Sequence, residues 1–192
     1  MVVAWGGNEI FQRMRRHTAI LAVAGAAACA ALASITWQDL SYWKDSVTLF
    51  RHAIEVTDAN YVAYNNLGSA LRQSGQIPDA ISAFEAAAAI QPQAADIQDN
   101  LGEALTVAGQ IHEAENHLET ALRLIPAFPK AEVDLAAALV REGRMQDAEQ
   151  HYRVALRLDA NNSEAHSGLG GVLAFEGRTA GPGRISRRRF RT

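Results

Sequence analysis

From Tyr61 onward, apolar and polar positions alternate as they do in helices laid side by side in pairs. Within residues 64–73, Tyr64, Leu67, Gly68 and Leu71 fall at i, i+3, i+4 and i+7, which is one face of a helix. After Ser74 and Gly75, a second apolar face is formed by Ile77, Ala80, Ile81, Phe84, Ala87, Ala88 and Ile90. Gly75 stands where a left-handed cap would end the first helix. Pro92 stops the second helix, because it lacks the N–H that would continue the turn. The pattern therefore predicts a helix hairpin, with small residues (Gly68, Ala80) where its two helices cross.

The same pattern returns at a fixed interval. Leu67, Leu101, Leu135 and Leu169 align, as do Gly68, Gly102, Ala136 and Gly170, and Leu71, Leu105, Leu139 and Leu173. Gly75, Gly109, Gly143 and Gly177 form a column without exception. In the second helices Ala80, Ala114 and Ala148 align, then Phe84, Leu118 and Tyr152, then Ala87, Ala121 and Ala155. A hairpin this small cannot bury its own apolar face, so the units are expected to stack around a continuous core. In its columns and its period the pattern resembles the tetratricopeptide repeat, which recurs every ~34 residues. The resemblance implies an all-α superhelix of helix hairpins. It covers three full repeats (61–94, 95–128, 129–162) and the first helix of a truncated fourth (163–177).

A half-repeat precedes them within residues 38–60. Trp43, Ser46, Val47, Phe50, Ala53 and Ile54 reproduce the spacing of a second helix. Ser46, Phe50 and Ala53 stand in its alanine, aromatic and alanine columns. Asp58-Ala59-Asn60 is placed to cap the helix that follows. The first helix of that half-repeat, residues 27–40, would coincide with the uncharged segment 18–37, TAILAVAGAAACAALASITW. As a helix it would extend about 30 Å, the hydrocarbon thickness of a bilayer. Arg13, Arg15 and Arg16 precede it, which predicts residues 1–17 in the cytoplasm and the repeats on the extracytoplasmic side. A retained single-pass helix is the preferred reading. A cleaved signal peptide ending at Ala31-Leu32-Ala33 and a buried helix of a soluble protein are the alternatives. Gly25, Cys29 and Ala33, with Ala22, Ala26 and Ala30 beside them, form rows that suit packing among other membrane helices.

Composition changes this picture little. Hydrophobic residues at 48 % and charged residues at 20 % exclude a chain disordered throughout. With a single cysteine, Cys29, neither an internal disulfide nor a cysteine-based zinc site can form. The net charge of −3 conceals an asymmetry. Arg178, Arg184, Arg187, Arg188, Arg189 and Arg191 lie beyond Gly177, leaving 12 basic residues against 21 acidic ones, a net of −9, before them. Residues 178–192 carry Gly181-Pro182-Gly183 and no helical periodicity, and are expected to be a disordered basic tail. The totals do not suggest nucleic-acid binding.

Trp43, Asp45, Ser46, Leu49 and Phe50 carry a further resemblance. The segment is similar to the junction between the last membrane helix and the repeats of multispanning O-mannosyltransferase-like proteins of the glycosyltransferase-C class. That resemblance implies repeats on the extracytoplasmic side. It implies no activity here, since the family's catalytic carboxylates would lie in a region this chain does not contain.

The remaining candidate chemistry is thin. His112 and His117 flank two acids, but at i and i+5 rather than i and i+4. The second ring is thus turned about 140° from the first at 3.6 residues per turn. Gly168-Leu169-Gly170-Gly171 lacks the strand and lysine of a phosphate loop and belongs to the repeat columns. No catalytic residue, cofactor or metal site is expected, and the chain is not expected to be an enzyme.

What remains is a binding surface. The tetratricopeptide resemblance implies a concave face lined by the first helices and open to a peptide or partner protein. The residues before the column leucines are Asn66, Asn100, Asp134 and Gly168. One position earlier stand Asn65, Asp99, Val133 and Ser167, and one turn on stand Ser69, Glu103, Ala137 and Gly171. Asparagine both donates and accepts, so it can hold peptide main chain whatever the sequence. Asp96, Asp99 and Glu103 make the second repeat acidic. The candidate peptide-binding residues are Asn65, Asn66, Ser69, Asp96, Asp99, Asn100, Glu103 and Asp134. The expected function is a membrane-anchored interaction module facing the extracytoplasmic side. The alternative is the C-terminal fragment or regulatory tail of a multispanning sugar transferase.

Overall fold

The structure is a computed structural model that describes residues 27, 29–34, 36 and 44–177. The cytoplasmic segment 1–17, the basic tail 178–192 and most of the expected membrane span 18–37 lie outside the described residues. Among the described residues no helix is long and apolar enough to cross a membrane. Residues 27, 29–34 and 36 are helical and exposed.

Eight further helices follow. They are α1 (Ser46–Val56), α2 (Tyr61–Gln73), α3 (Ile77–Ile90), α4 (Ala95–Ala108), α5 (Ile111–Leu124), α6 (Pro129–Glu142), α7 (Met145–Leu158) and α8 (Ser163–Phe175). The chain divides into two units, the second beginning at Ala53 inside α1. In the second unit, α2/α3, α4/α5 and α6/α7 are the three hairpins expected from the repeat. Each second helix packs on the next first helix, and successive first helices touch one another.

The starts and stops have local causes. Asn60 accepts a bond from the Ala63 amide at 2.9 Å and caps α2, and Asn162 does the same for α8 through Ala165. Asp45 takes the Thr48 amide at 2.8 Å at the start of α1. Pro129 occupies the first turn of α6, where its missing N–H costs nothing. Gly75, Gly109, Gly143 and Gly177 all have positive φ, between 69° and 86°. After Gly109 the Gln110 amide bonds back to Leu105 at 3.0 Å, and after Gly143 the Arg144 amide bonds to Leu139 at 2.9 Å. These bonds consume carbonyls that the helix end would otherwise leave open.

The repeat columns are the core. Ala80, Phe84, Ala87, Ala114, Leu118, Ala121, Ala148 and Ala155 are fully enclosed, and Tyr152 nearly so. The column leucines of α2, α4 and α6 are buried beside them. Gly102 lets α4 and α5 approach, since a Cβ there would lie 2.5 Å from Leu118 Cγ; Phe84 crowds Gly68 in the same way. Polar contacts recur with the repeat as well. His117 on α5 meets Gln98 on α4 at 2.7 Å, and one repeat later His151 on α7 meets Glu132 on α6 at 2.7 Å.

Candidate functional site

The first helices α2, α4 and α6 form a wall on which the expected binding residues are spread. Asn65 and Asn100, on adjacent helices, are hydrogen-bonded, with Asn100 Nδ2 donating to Asn65 Oδ1 at 3.0 Å. Asn66, in the same repeat column as Asn100, is half-buried and outside that bond. Ser69 turns its hydroxyl back to the Asn65 carbonyl at 3.1 Å. Asp96 is exposed in the first turn of α4.

One turn further along the wall the acids converge. Asp99 (only 1 % exposed), Glu103 and Asp134 all receive hydrogen bonds from the Lys130 ammonium, at 3.2 Å for Glu103 and 2.8 Å for Asp134. Glu103 also pairs with Arg72 of α2. The second-repeat acids are therefore not bare. Three carboxylates share two cations, and the fully ionised cluster carries one net negative charge. Burial raises the Asp134 carboxyl; Lys130 pulls it back, and Asp99 and Glu103 push it up again, leaving it at about 7. Asp99 is raised as well, by burial above all. Burial opposes the Lys130 charge, but Asp134 and Asp99 more than compensate and hold it protonated.

Lys130 and Arg72 were not among the residues expected on this wall. Alignment by repeat hides them, because the contacting pairs are not one full period apart. Lys130 meets Asp99, and Arg72 meets Glu103, at a separation of 31; Asn65 meets Asn100 at 35. Neighbouring first helices are displaced by part of a turn, so a column does not face itself. The one available signal was Lys130 and Asp134 at i, i+4 on a single helix face.

Two column positions differ from the wall pattern. Gly168, aligned with Asn66, Asn100 and Asp134, has Tyr152 packed where a side chain would stand. The two histidines of α5 diverge: His117 is half-buried against Gln98, while His112 is exposed, 3.5 Å from Glu142. Burial lowers the His117 pKa. Among the described residues no group of acids, histidines and cysteine could hold a metal ion.

Two tetratricopeptide repeat models match the chain, one over residues 60–127 and one over 105–171. With the repeat columns and the stacked hairpins they show that this chain belongs to the tetratricopeptide repeat family. Among solved structures it is similar to the first such domain of Spaghetti (RPAP3) bound to an HSP90 peptide, SRMEEVD. The TM-score is 0.59 and the identity 21 %, covering 65 % of this chain and 98 % of that one. It is also similar to MamA, at a TM-score of 0.62 and 17 % identity over 69 % of this chain and 77 % of that one. A third is the second domain of human RPAP3 in complex with an HSP70 peptide, SGPTIEEVD. There the TM-score is 0.56 and the identity 21 %, over 59 % of this chain and 94 % of that one. These likenesses are of fold. No curated protein matches the chain by sequence.

Proposed function

We propose that the chain is a peptide-binding interaction module, tethered to a membrane through residues 18–37 with its repeats on the extracytoplasmic side. The ligand lies along the first-helix wall of Asn65, Asn66, Ser69, Asp96, Asp99, Asn100, Glu103 and Asp134. The observation that carries this reading is the continuous polar strip running across α2, α4 and α6. It joins an amide pair able to exchange its mutual bond for peptide main chain to a carboxylate cluster with a net negative charge. The RPAP3 domains, bound to an HSP90 and an HSP70 peptide, support the use of this fold for binding peptides. Those peptides end in acids. Here Lys130 and Arg72 are engaged by this chain's own carboxylates, so the wall favours a neutral or basic ligand. Each exposed charge contact adds only about 0–1 kcal/mol, and affinity is expected around micromolar or weaker, about −8 kcal/mol.

Titration of the full chain with a lysine-containing extended peptide and its glutamate counterpart tests the wall. The lysine peptide is expected to bind more tightly, and Asn65→Ala with Asn100→Ala to weaken it. Equal binding of both peptides, unaffected by the double substitution, would remove the wall from consideration. Carbonate extraction tests the tether: the chain should stay in the membrane fraction, and release or a mature N-terminus at Ser34 would overturn it.

A second reading rests on Asp45, Ser46, Leu49 and Phe50 at the head of α1, the segment similar to the junction of O-mannosyltransferase-like proteins. In that case the chain is the regulatory tail of a multispanning sugar transferase. The genomic sequence ahead of residue 1 separates the two, since only the tail requires a long upstream frame with many membrane spans.

A further inference from the structure

Position 130 is an exception on the acidic wall. In its repeat column stand Val62, Asp96 and Glu164, so the stacking of first helices does not require a base there. Lys130 is carried on the first turn of α6, yet its ammonium reaches across to α4. Its three N–H donors are all used, on Asp99, Glu103 and Asp134. Two of these acids, Asp99 and Glu103, belong to α4, while Asp134 lies one turn away on the same helix as the lysine. Asp99 is enclosed, and its Oδ1 is buried without a hydrogen-bond partner among the described residues. The Lys130 side chain, by contrast, is 45 % exposed. A buried carboxylate oxygen without a donor is costly, and an ammonium whose three donors are engaged cannot serve it.

We propose that Lys130 is a tethered occupant of the subsite for a ligand's basic side chain, and that an arginine of a bound peptide takes its place against Asp99 and Glu103. This rests on the first-helix wall being the peptide site. The exchange leaves no charge stranded. Lys130 turns away from α4 and keeps Asp134 on its own helix, and Arg72 stays on Glu103. A guanidinium brings five donors in a planar fork, enough to serve both oxygens of Asp99 and Glu103 besides. Asp99, Glu103 and Asp134 are then balanced by Lys130, Arg72 and the ligand's arginine. Lys130 thus acts on specificity. A ligand without a cation does not displace it, and a ligand with one binds below its intrinsic affinity, because the cradle must first be vacated.

Lys44 and Lys130 are the only lysines in the sequence. Acetylation of the full chain by acetic anhydride, read by peptide mass spectrometry, therefore reports Lys130 against Lys44 as an internal standard. An extended, N-acetylated peptide with one arginine should raise Lys130 acetylation relative to Lys44, whereas mere covering by a ligand would lower it. The same peptide with glutamate in place of arginine should leave it unchanged. In titration, Lys130→Met combined with Asp134→Asn removes one charge of each sign and empties the cradle. It should bind the arginine peptide about tenfold more tightly than the parent, the gain expected if the cradle is vacant in about a tenth of parent molecules. The glutamate peptide should gain nothing. Melting midpoints establish that the variant is folded; where it is not, acetylation of the parent chain decides. Lys130 acetylation unchanged or lowered by the arginine peptide, or a folded double variant that binds it no more tightly, would overturn the inference. If Asn65→Ala with Asn100→Ala still weakens the arginine peptide in that case, the wall stands without the exchange. Arginine and glutamate peptides bound equally, and unaffected by those two substitutions, would remove both.

Discussion

Asp134 sits one helical turn beyond Lys130, and that spacing governs the electrostatics of the wall. Its carboxyl titrates near 7, whereas in the unfolded chain it ionises near the ordinary value of 3.8. Between those limits the folded state holds a proton that the unfolded state has released, so stability falls as pH rises through the interval. The Lys130 shift is also upward, but its contribution is complete below the ordinary lysine range and does not change in this window. Asp134→Asn removes the titration. The variant's melting midpoint relative to the parent should therefore be more favourable at pH 8 than at pH 5, and an equal difference at both values would contradict the assignment. A lysine peptide on the wall should likewise bind more tightly at pH 8 than at pH 5, because Asp134 is ionised there.

Gly109 presents a different constraint at the same scale. Nothing lies within 4 Å of a Cβ built there, so crowding is not the reason for glycine; the backbone, at φ 83°, is. Gly109→Val should cost about 1–3 kcal/mol from conformational strain alone, while Gln110→Ala next to it should be nearly silent. Thermal melts of the full chain compare the two. Equal midpoints would contradict a left-handed cap as the reason for the glycine column.

Among helices, one residue type serves two ends. Gly102 admits Leu118 between α4 and α5, so Gly102→Ala forces a methyl into a filled space and should cost about 1–3 kcal/mol. Gly170 holds the same column in α8 with nothing over it, so Gly170→Ala should gain about 0.5–1 kcal/mol through helix propensity. Opposite signs from one column, read by denaturant titration, would establish that the second helix makes the difference; like signs would refute it. The hairpins, their caps and the columns were legible in the sequence because each repeat states the same rule again: leucine and small residue inside, glycine at positive φ, alanine–aromatic–alanine opposite. The wall was only half legible. Column alignment named Asn65, Asp99, Asn100, Glu103 and Asp134, which the structure places side by side, but not Lys130 or Arg72, which bind the acids among them. Contacts between crossing first helices run at offsets of 31 and 35, set by packing rather than by the repeat. Most of the membrane span falls on residues outside those described, so its reading still rests on the uncharged run and the three arginines before it.

Over the whole molecule, the stacked hairpins make stability local. In the second unit each of α2 to α8 is held by its immediate neighbours, so the array should open from an end rather than all at once. In the second unit, α4 and α6 are covered on both sides: Ile97, Leu101 and Leu105 face α5 and its neighbours, and Leu135 and Leu139 are buried in turn. By contrast, among the described residues α8 packs on α6 and α7 alone, with Phe175 76 % exposed at its end. Its two column leucines and Phe175 give up burial that would each add about 1.5–3 kcal/mol if complete. Native-state hydrogen exchange of dilute protein should therefore find amides in the middle of α8 exchanging at least about tenfold faster than those of α4 and α6, a gap of about 1.4 kcal/mol or more. Uniform protection from α2 to α8 in dilute protein would mean that the array unfolds as one cooperative block.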